Sequence, residues 1–188
     1  FRAAGVDTAG MADALMQKPV AVGHGLQLLR TDAQSVQAFP FTPGITVGTM
    51  DIGGASALRV MAQGTGFTLG DLYTAANLDT AQLSPEIGAR SVDAGYELRL
   101  FSGEDGMFHM NHLIPGITVS RQVIDGVATT HVVAQRDGVL RSDLALAAGM
   151  NVAGLHDSLA VVAAGHGIRV WSDGAQAVRV AEIIPGIT

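Results

Sequence analysis

The chain has 188 residues, of which 48% are hydrophobic and 15% charged, and its mean hydropathy of +0.33 fits one domain with a large core or several small ones. Its net charge of −6, without a Lys/Arg cluster, argues against a nucleic-acid partner. No apolar run reaches the roughly 18 residues of a transmembrane helix, so no transmembrane segment is expected. Cysteine is absent, which excludes disulfides, thiolate chemistry and cysteine-ligated zinc.

A tandem repeat organises the chain. The tetrapeptide Pro-Gly-Ile-Thr begins at Pro43, Pro115 and Pro185, at intervals of 72 and then 70 residues. A shift of 72 aligns residues 45–83 with residues 117–155 without a gap. A period of this length is typical of tandem arrays. The alternative is one globular domain with an old internal duplication.

The repeat divides the chain into four segments. Residues 1–42 are the C-terminal part of a repeat unit, 43–114 and 115–184 are complete units, and 185–188 start the next unit. Because the chain begins and ends within a unit, we interpret it as a window of a longer array.

Each tetrapeptide predicts a structural turn. Pro presets φ at one turn position, and Gly accepts a positive φ at the next. The Ile-Thr-Val that follows the first two copies favours a strand. We therefore interpret the tetrapeptide as a reversal between two strands rather than as a binding motif. The turn residues are Pro43, Gly44, Pro115, Gly116, Pro185 and Gly186.

The elements that follow the turn are clearest in the last unit. Strands are predicted at 117–124 and 129–135, joined by the hairpin pair Asp125-Gly126. Apolar residues at helical spacing then predict a short helix at 140–148, and a second short helix is expected at 152–159.

Two further strands close the predicted unit, at 165–171 and 176–184. In the middle unit the helix positions correspond to 69–76 and 80–87. The predicted fold is therefore α+β, a tandem repeat of small ββααββ modules, each with a marginal core of its own.

A strand with a Gly-containing turn, a Leu-bearing helix, a second helix and a Gly-x-x-hydrophobic strand succeed one another within the unit. In the last unit they occupy Val132–Gly138, Asp143–Met150, Val152–Leu155 and Gly165–Val170. This order resembles the LysM module, a small βααβ glycan-binding domain of bacterial cell walls. The resemblance covers a little over half of each unit, and the family's Gly-Asp-Thr-Leu turn is not intact.

The LysM resemblance implies a glycan-binding groove between the Gly-containing turn and the loop after the second helix. It also implies peptidoglycan or a related polysaccharide as a partner, and an extracellular or bacterial cell-envelope location. Aromatic residues, at 5% of the chain, offer few platforms for sugar stacking. The implied groove residues are Thr65, Gly66, Phe67, Pro85 and Glu86 in the middle unit, and Asp137, Gly138, Val139, Asp157 and Ser158 in the last.

Histidine-rich positions give no catalytic or metal site. The run 107–112 contains two Met and two His, which suit copper, but in a strand they divide between two faces. His24 and His166 share a repeat position that Tyr96 occupies in the middle unit, so a catalytic base is not expected there. The run 156–158 contains His, Asp and Ser, but adjacent residues of a helix point in different directions.

Residues that match between units are mostly Gly, Ala, Val, Leu and Ile, not polar residues. We therefore expect a non-enzymatic structural protein without metal or cofactor, which forms a cell-surface, filament or appendage array. Its main partner would be itself, through head-to-tail contacts in which open strand edges are completed by a neighbouring unit. The alternatives are a LysM-like array that binds peptidoglycan with avidity, and the non-catalytic part of a cell-wall hydrolase.

Overall fold

The computed structural model describes residues 22–30, 36–52, 54–102, 107–152, 157, 159–172 and 177–186. We call residues 22–42 the first block, 43–114 the middle block and 115–186 the last block. In the first block, β1 (Gly25–Arg30) and β2 (Val36–Phe41) pair as an antiparallel hairpin.

The middle block is a four-stranded antiparallel sheet with short helices between its second and third strands. The strand order is β3-β4-β7-β8. Its elements are β3 (Ile45–Ile52), β4 (Ala55–Ala62), β5 (Phe67–Thr68), α1 (Leu69–Ala75), the 3₁₀ turn η1 (Thr80–Gln82), α2 (Pro85–Ala89), β6 (Ser91–Val92), β7 (Glu97–Ser102) and β8 (Phe108–Leu113).

The last block has the same order of strands, β9-β10-β13-β14, in its four-stranded sheet. The short pair β11–β12 corresponds to β5–β6 of the middle block. Its elements are β9 (Ile117–Ile124), β10 (Val127–Ala134), β11 (Val139–Leu140), α3 (Arg141–Ala147), β12 (Val161–Val162), β13 (Gly167–Ser172) and β14 (Val178–Ile183).

The Pro-Gly pairs lie in tight turns between blocks. Ile45 N donates to the Thr42 carbonyl at 3.0 Å, and Gly44 takes a φ of +83°. A Cβ on Gly44 would also lie 2.5 Å from the Phe67 ring, so both the backbone and the packing require glycine. Gly116 repeats this conformation with a φ of +82°. All six turn residues named from the sequence, Pro43, Gly44, Pro115, Gly116, Pro185 and Gly186, lie in turns.

Local sequence explains the position of α1. Thr68 caps the helix: its Oγ accepts the Asp71 N–H at 3.2 Å, while the Asp71 carboxylate accepts the Thr68 N–H at 2.8 Å. Leu69 and Leu72 point inward and are completely buried. Asn77 takes a φ of +59° beyond the end of the helix, which ends the element.

The predicted α+β fold of ββααββ modules with a LysM-like core is wrong. Of the described residues, 52% lie in strands and 15% in helices, so the chain is predominantly antiparallel β-sheet. The helix predicted at 80–87 is broken, because Ser84 caps a new turn with Pro85 at its start, and only five residues follow as α2. Residues on either side of the helices pair as additional strands. Most of the helix predicted at 152–159 lies outside the described residues.

Two hydrophobic cores lie between the sheets and the helices. The larger is centred on the middle block, where Val60, Leu72 and Leu98 are completely buried. The smaller lies in the last block around Val132 and Leu144. In the part of the chain that the structure describes, no helix is long and apolar enough to cross a bilayer.

Candidate functional site

The contact between the middle and last blocks is the site with the most unusual chemistry. Helix α3 lies between the two cores: Leu144 belongs to the smaller core, whereas Ala145 and Leu146 belong to the larger core. Adjacent helical residues point in different directions, so one short helix can serve both cores. Helix α3 therefore packs against β8, the last strand of the preceding block.

The same arrangement occurs one block earlier. Helix α1 contacts β2, the last strand of the first block. Phe39 of β2 is 2% exposed and belongs to the larger core of the middle block. The Gln27 side chain adds a hydrogen bond of 2.8 Å to the Val47 carbonyl across this boundary. Helix on preceding hairpin is thus the contact at both block junctions.

A buried ion pair joins the middle and last blocks. Arg90, directly after α2, pairs with Asp143 in the first turn of α3. Their side chains are only 6% and 10% exposed. The second carboxylate oxygen of Asp143 accepts the Leu140 N–H at 3.2 Å, which orders the start of the helix.

Two aromatic rings extend this ion pair into a polar network. Arg90 donates to the Tyr96 hydroxyl at 3.1 Å, and its guanidinium lies 5.5 Å from the centre of the Tyr96 ring. The Tyr96 hydroxyl lies 2.9 Å from His112 Nδ1. Because arginine only donates, the tyrosine proton is free to point at Nδ1, which assigns the remaining ring proton to Nε2. His112 Nε2 is buried and has no hydrogen-bond partner among the described residues.

Burial decides the protonation states of this network. Burial, with a smaller contribution from the charge of Arg90, lowers the pKa of His112 to about 3, so the ring is neutral. Burial raises the pKa of Asp143, and the Arg90 guanidinium offsets only part of this shift. Burial also raises the pKa of Tyr73, whose ring lies 6.2 Å from that of His112, to about 12.

A second ion pair crosses the same boundary at the surface. Arg136 of the last block pairs with Asp93 of the middle block, and the two side chains are 49% and 54% exposed. The Arg136 side chain also lies against Gly116, where a Cβ would collide with it. The junction therefore has a buried polar centre and a solvated rim, and its side chains are engaged with each other.

The residues of the expected glycan groove do not form one site in the middle block. Phe67 lies against the turn at Gly44. A shallow groove beside α1 and α2 is lined by Pro85, but Thr65, Gly66 and Phe67 are not among its lining residues. Glu86 lies in the first turn of α2 and is exposed.

The corresponding set in the last block is divided between core and surface. Val139 is 2% exposed and packs in the smaller core. Asp137 accepts the Ala164 N–H at 2.8 Å, so it fixes a turn, and Gly138 follows it with a φ of +83°. Asp157 is exposed, and Ser158 lies outside the described residues.

Among the described residues, no group of three or more His, Asp or Glu side chains is placed to hold a metal ion. His109 and His112 both lie on β8 but differ in surroundings: His109 stacks on Phe101 at 5.5 Å, and His112 is buried against Tyr96.

The sequence interpretation missed the polar network, although the repeat contains a signal for it. At the position of His112, the first block has Pro40 and the last block has Glu182. Tyr96 likewise replaces the histidine of the other two units. Polar or aromatic departures from the repeat, not matches, mark this junction.

No family model, curated protein or solved structure matches the chain at a significant score. The functional argument therefore rests on the contacts within the chain.

Proposed function

We propose that this chain is a non-enzymatic structural array, in which each block packs head to tail on the block before it. One observation carries the proposal: the larger core contains residues of all three blocks. Phe39 enters it from the first block, and Ala145, Leu146 and Val152 enter it from the last. An ordinary chain of independent domains would keep these cores separate.

The physical advantage of such packing follows from size. A unit of about 70 residues buries too little apolar surface to be very stable alone. When each unit lends a helix to the hairpin before it, every junction adds core to two units, and stability grows with the number of units. Such a chain serves as a spacer or fibre, and we propose a place for it in a cell-surface, filament or appendage assembly.

The proposal is tested by lengthening the chain in register. One or two additional copies of residues 43–114 are inserted between Ile114 and Pro115, which preserves every block boundary. Small-angle X-ray scattering should show a maximum dimension that increases by a constant amount per copy. A compact chain would increase its radius of gyration by only about 13% with the first copy. Growth of that size would contradict the array.

The surface location needs its own experiment. An antibody raised against the folded chain should label intact cells of the source organism. Label that appears only after the cells are lysed would contradict a surface assembly and leave an array inside the cell.

A further inference from the structure

One side of the last sheet is exposed at positions that are covered in the middle block. Ile114 is 9% exposed, whereas Ile184, at the same repeat position, is 37% exposed. Met110 packs against the larger core, whereas the equivalent Val180 is 47% exposed. We call Val178, Val180 and Ile184 the uncovered face; Val178 is 63% exposed.

Strand register supports this equivalence. Leu100 lies opposite Met110 in the middle sheet, and Val170 lies opposite Val180 in the last. Leu100 is 4% exposed, whereas Val170 is only half-buried. The two sheets thus present the same face, and only one of them is covered.

The cover of the middle sheet comes from the next block. Helix α3 contacts β8, and Ala145, Leu146 and Val152 are buried in the core that Leu100 and Ile114 share. The first junction repeats this contact with α1 on β2. Two hairpins of the chain therefore carry a helix from the following block, and the hairpin β13–β14 does not.

We propose that the uncovered face is the docking surface for the helix of one further repeat unit. This inference rests on the proposed function and specifies the element that makes the contact. The docking helix would carry the Asp-Leu-x-x-Ala-Ala pattern that residues 71–76 and 143–148 share. Its small residues allow close approach to a sheet, and its Leu faces the core of its own unit, as Leu72 and Leu144 do.

The contact is face to face, not strand to strand. The sequence led us to expect that a missing strand would complete an open edge near residues 183–188. The exposed apolar residues instead alternate along β14 and project from one face, so a helix covers them better than an added strand. Glu182, between Val180 and Ile184, is already paired with Arg141 and leaves no unmatched charge on this face.

The first junction shows which helix suits this face. Asp71 is exposed and engaged in the capping box of α1, so docking of α1 on β2 needs no buried arginine. Asp143 of α3, by contrast, is buried against Arg90. A copy of the middle block is therefore the better probe.

The experiment extends the chain after Thr188 with a copy of residues 47–114, which continues the repeat in register. Since the chain has no cysteine, the variant Ile184→Cys carries a single thiol whose reaction with a disulfide reagent reports exposure. We expect the thiol to react at least about 10-fold more slowly in the extended chain. Its rate should approach that of Ile114→Cys in the original chain. An unchanged rate at 184 would overturn the proposal.

Controls separate docking from other causes. An unstructured Gly/Ser extension of equal length should leave the rate at 184 unchanged; slowing by this extension would also overturn the proposal. A cysteine at the copy's equivalent of Val60, a completely buried position, reports whether the copy is folded. Fast reaction there counts against the proposal, because docking is expected to support the core of the copy.

Two outcomes distinguish this inference from the proposed function. If scattering shows constant growth per unit while the thiol at 184 remains exposed, the array stands and the helix contact fails. If the original chain alone protects this thiol increasingly with protein concentration, a second copy of the chain covers the face and the assigned occupant is wrong.

Discussion

The two block junctions have the same geometry but different chemistry. At the first, Phe39 and Val47 are 2% and 3% exposed, and the contact is apolar. At the second, Arg90 and Asp143 form a buried pair, while Val119, the repeat equivalent of Val47, is 47% exposed. The helix-on-hairpin contact therefore tolerates either an apolar or a polar filling.

The difference concerns specificity more than stability. Apolar surfaces join with little orientational preference, whereas a buried ion pair with hydrogen-bonded partners stabilises only one arrangement. We infer that the second junction fixes which blocks meet, and the first mainly adds buried area. Four predictions test this comparison.

The largest effect is expected from Asp143→Ala at the polar junction. This change leaves the Arg90 guanidinium buried without its partner, which typically costs about 3–5 kcal/mol of unfolding free energy. The matched control is Asp71→Ala, at the same repeat position but exposed, where only a helix cap is lost, at about 1 kcal/mol. Urea unfolding measures both; equal losses would show that the ion pair has no special role.

The apolar junction is probed by Phe39→Ala. Removal of a buried aromatic side chain should cost about 3 kcal/mol, near the lower end of such changes, because the site lies at the boundary of the described core. Phe41→Ala on the same strand serves as control, since Phe41 is 42% exposed and should cost less than about 1 kcal/mol. Thermal and urea unfolding should rank the pair in this order; the reverse ranking would contradict the packing.

The polar junction should also be sensitive to acid. His112 remains neutral in the folded chain because burial holds its pKa at about 3, whereas the unfolded histidine takes up a proton near its ordinary pKa of 6.5. Stability should therefore fall by up to about 1.4 kcal/mol per pH unit below 6.5, or about 2 kcal/mol by pH 5. The raised pKa of Asp143 opposes this trend at more acidic pH, so pH 5–7 is the informative range.

The variant His112→Gln should flatten this pH dependence. His109→Gln, on the same strand, is its control and should leave the slope unchanged. Unfolding free energies measured by urea at several pH values decide the matter. A slope that survives in His112→Gln would assign the acid sensitivity to another group.

The smallest effect is expected from the rim of the polar junction. Asp93→Asn removes the ion pair with Arg136, but both side chains are about half exposed, so the loss should stay below about 1 kcal/mol. It should also disappear in high salt, because exposed pairs are screened. A larger, salt-independent loss would show that the rim pair is structurally essential.

Local chemistry allowed parts of the fold to be predicted from sequence. The strand at 117–124 has the predicted bounds, and Asp125-Gly126 forms its hairpin turn with φ of 50° and 78°. These features depend on neighbouring residues only. The second helix failed because Ser84 and Pro85 restart the chain within an apolar run.

The site was harder to predict than the fold. Arg90 and Asp143 lie in different blocks, and nothing local to either residue identifies the other as its partner. Their contact depends on how α3 lies across the block boundary, which hydrophobic periodicity does not determine. The glycan-groove residues had no such basis, since they came from a resemblance that the sheet-rich fold contradicts.

The central claim is that the blocks share one continuous core, and Trp171 tests it most directly. This residue is the only tryptophan of the chain and lies in β13 of the last block. Leu72→Ala empties a completely buried position in the middle block, which should cost about 2–5 kcal/mol. We predict that the urea midpoint reported by Trp171 fluorescence falls together with the midpoint of the middle block, followed by hydrogen exchange of β4. A Trp171 transition that stays at its original midpoint, while β4 unfolds earlier, would show that the blocks are independent and contradict the account.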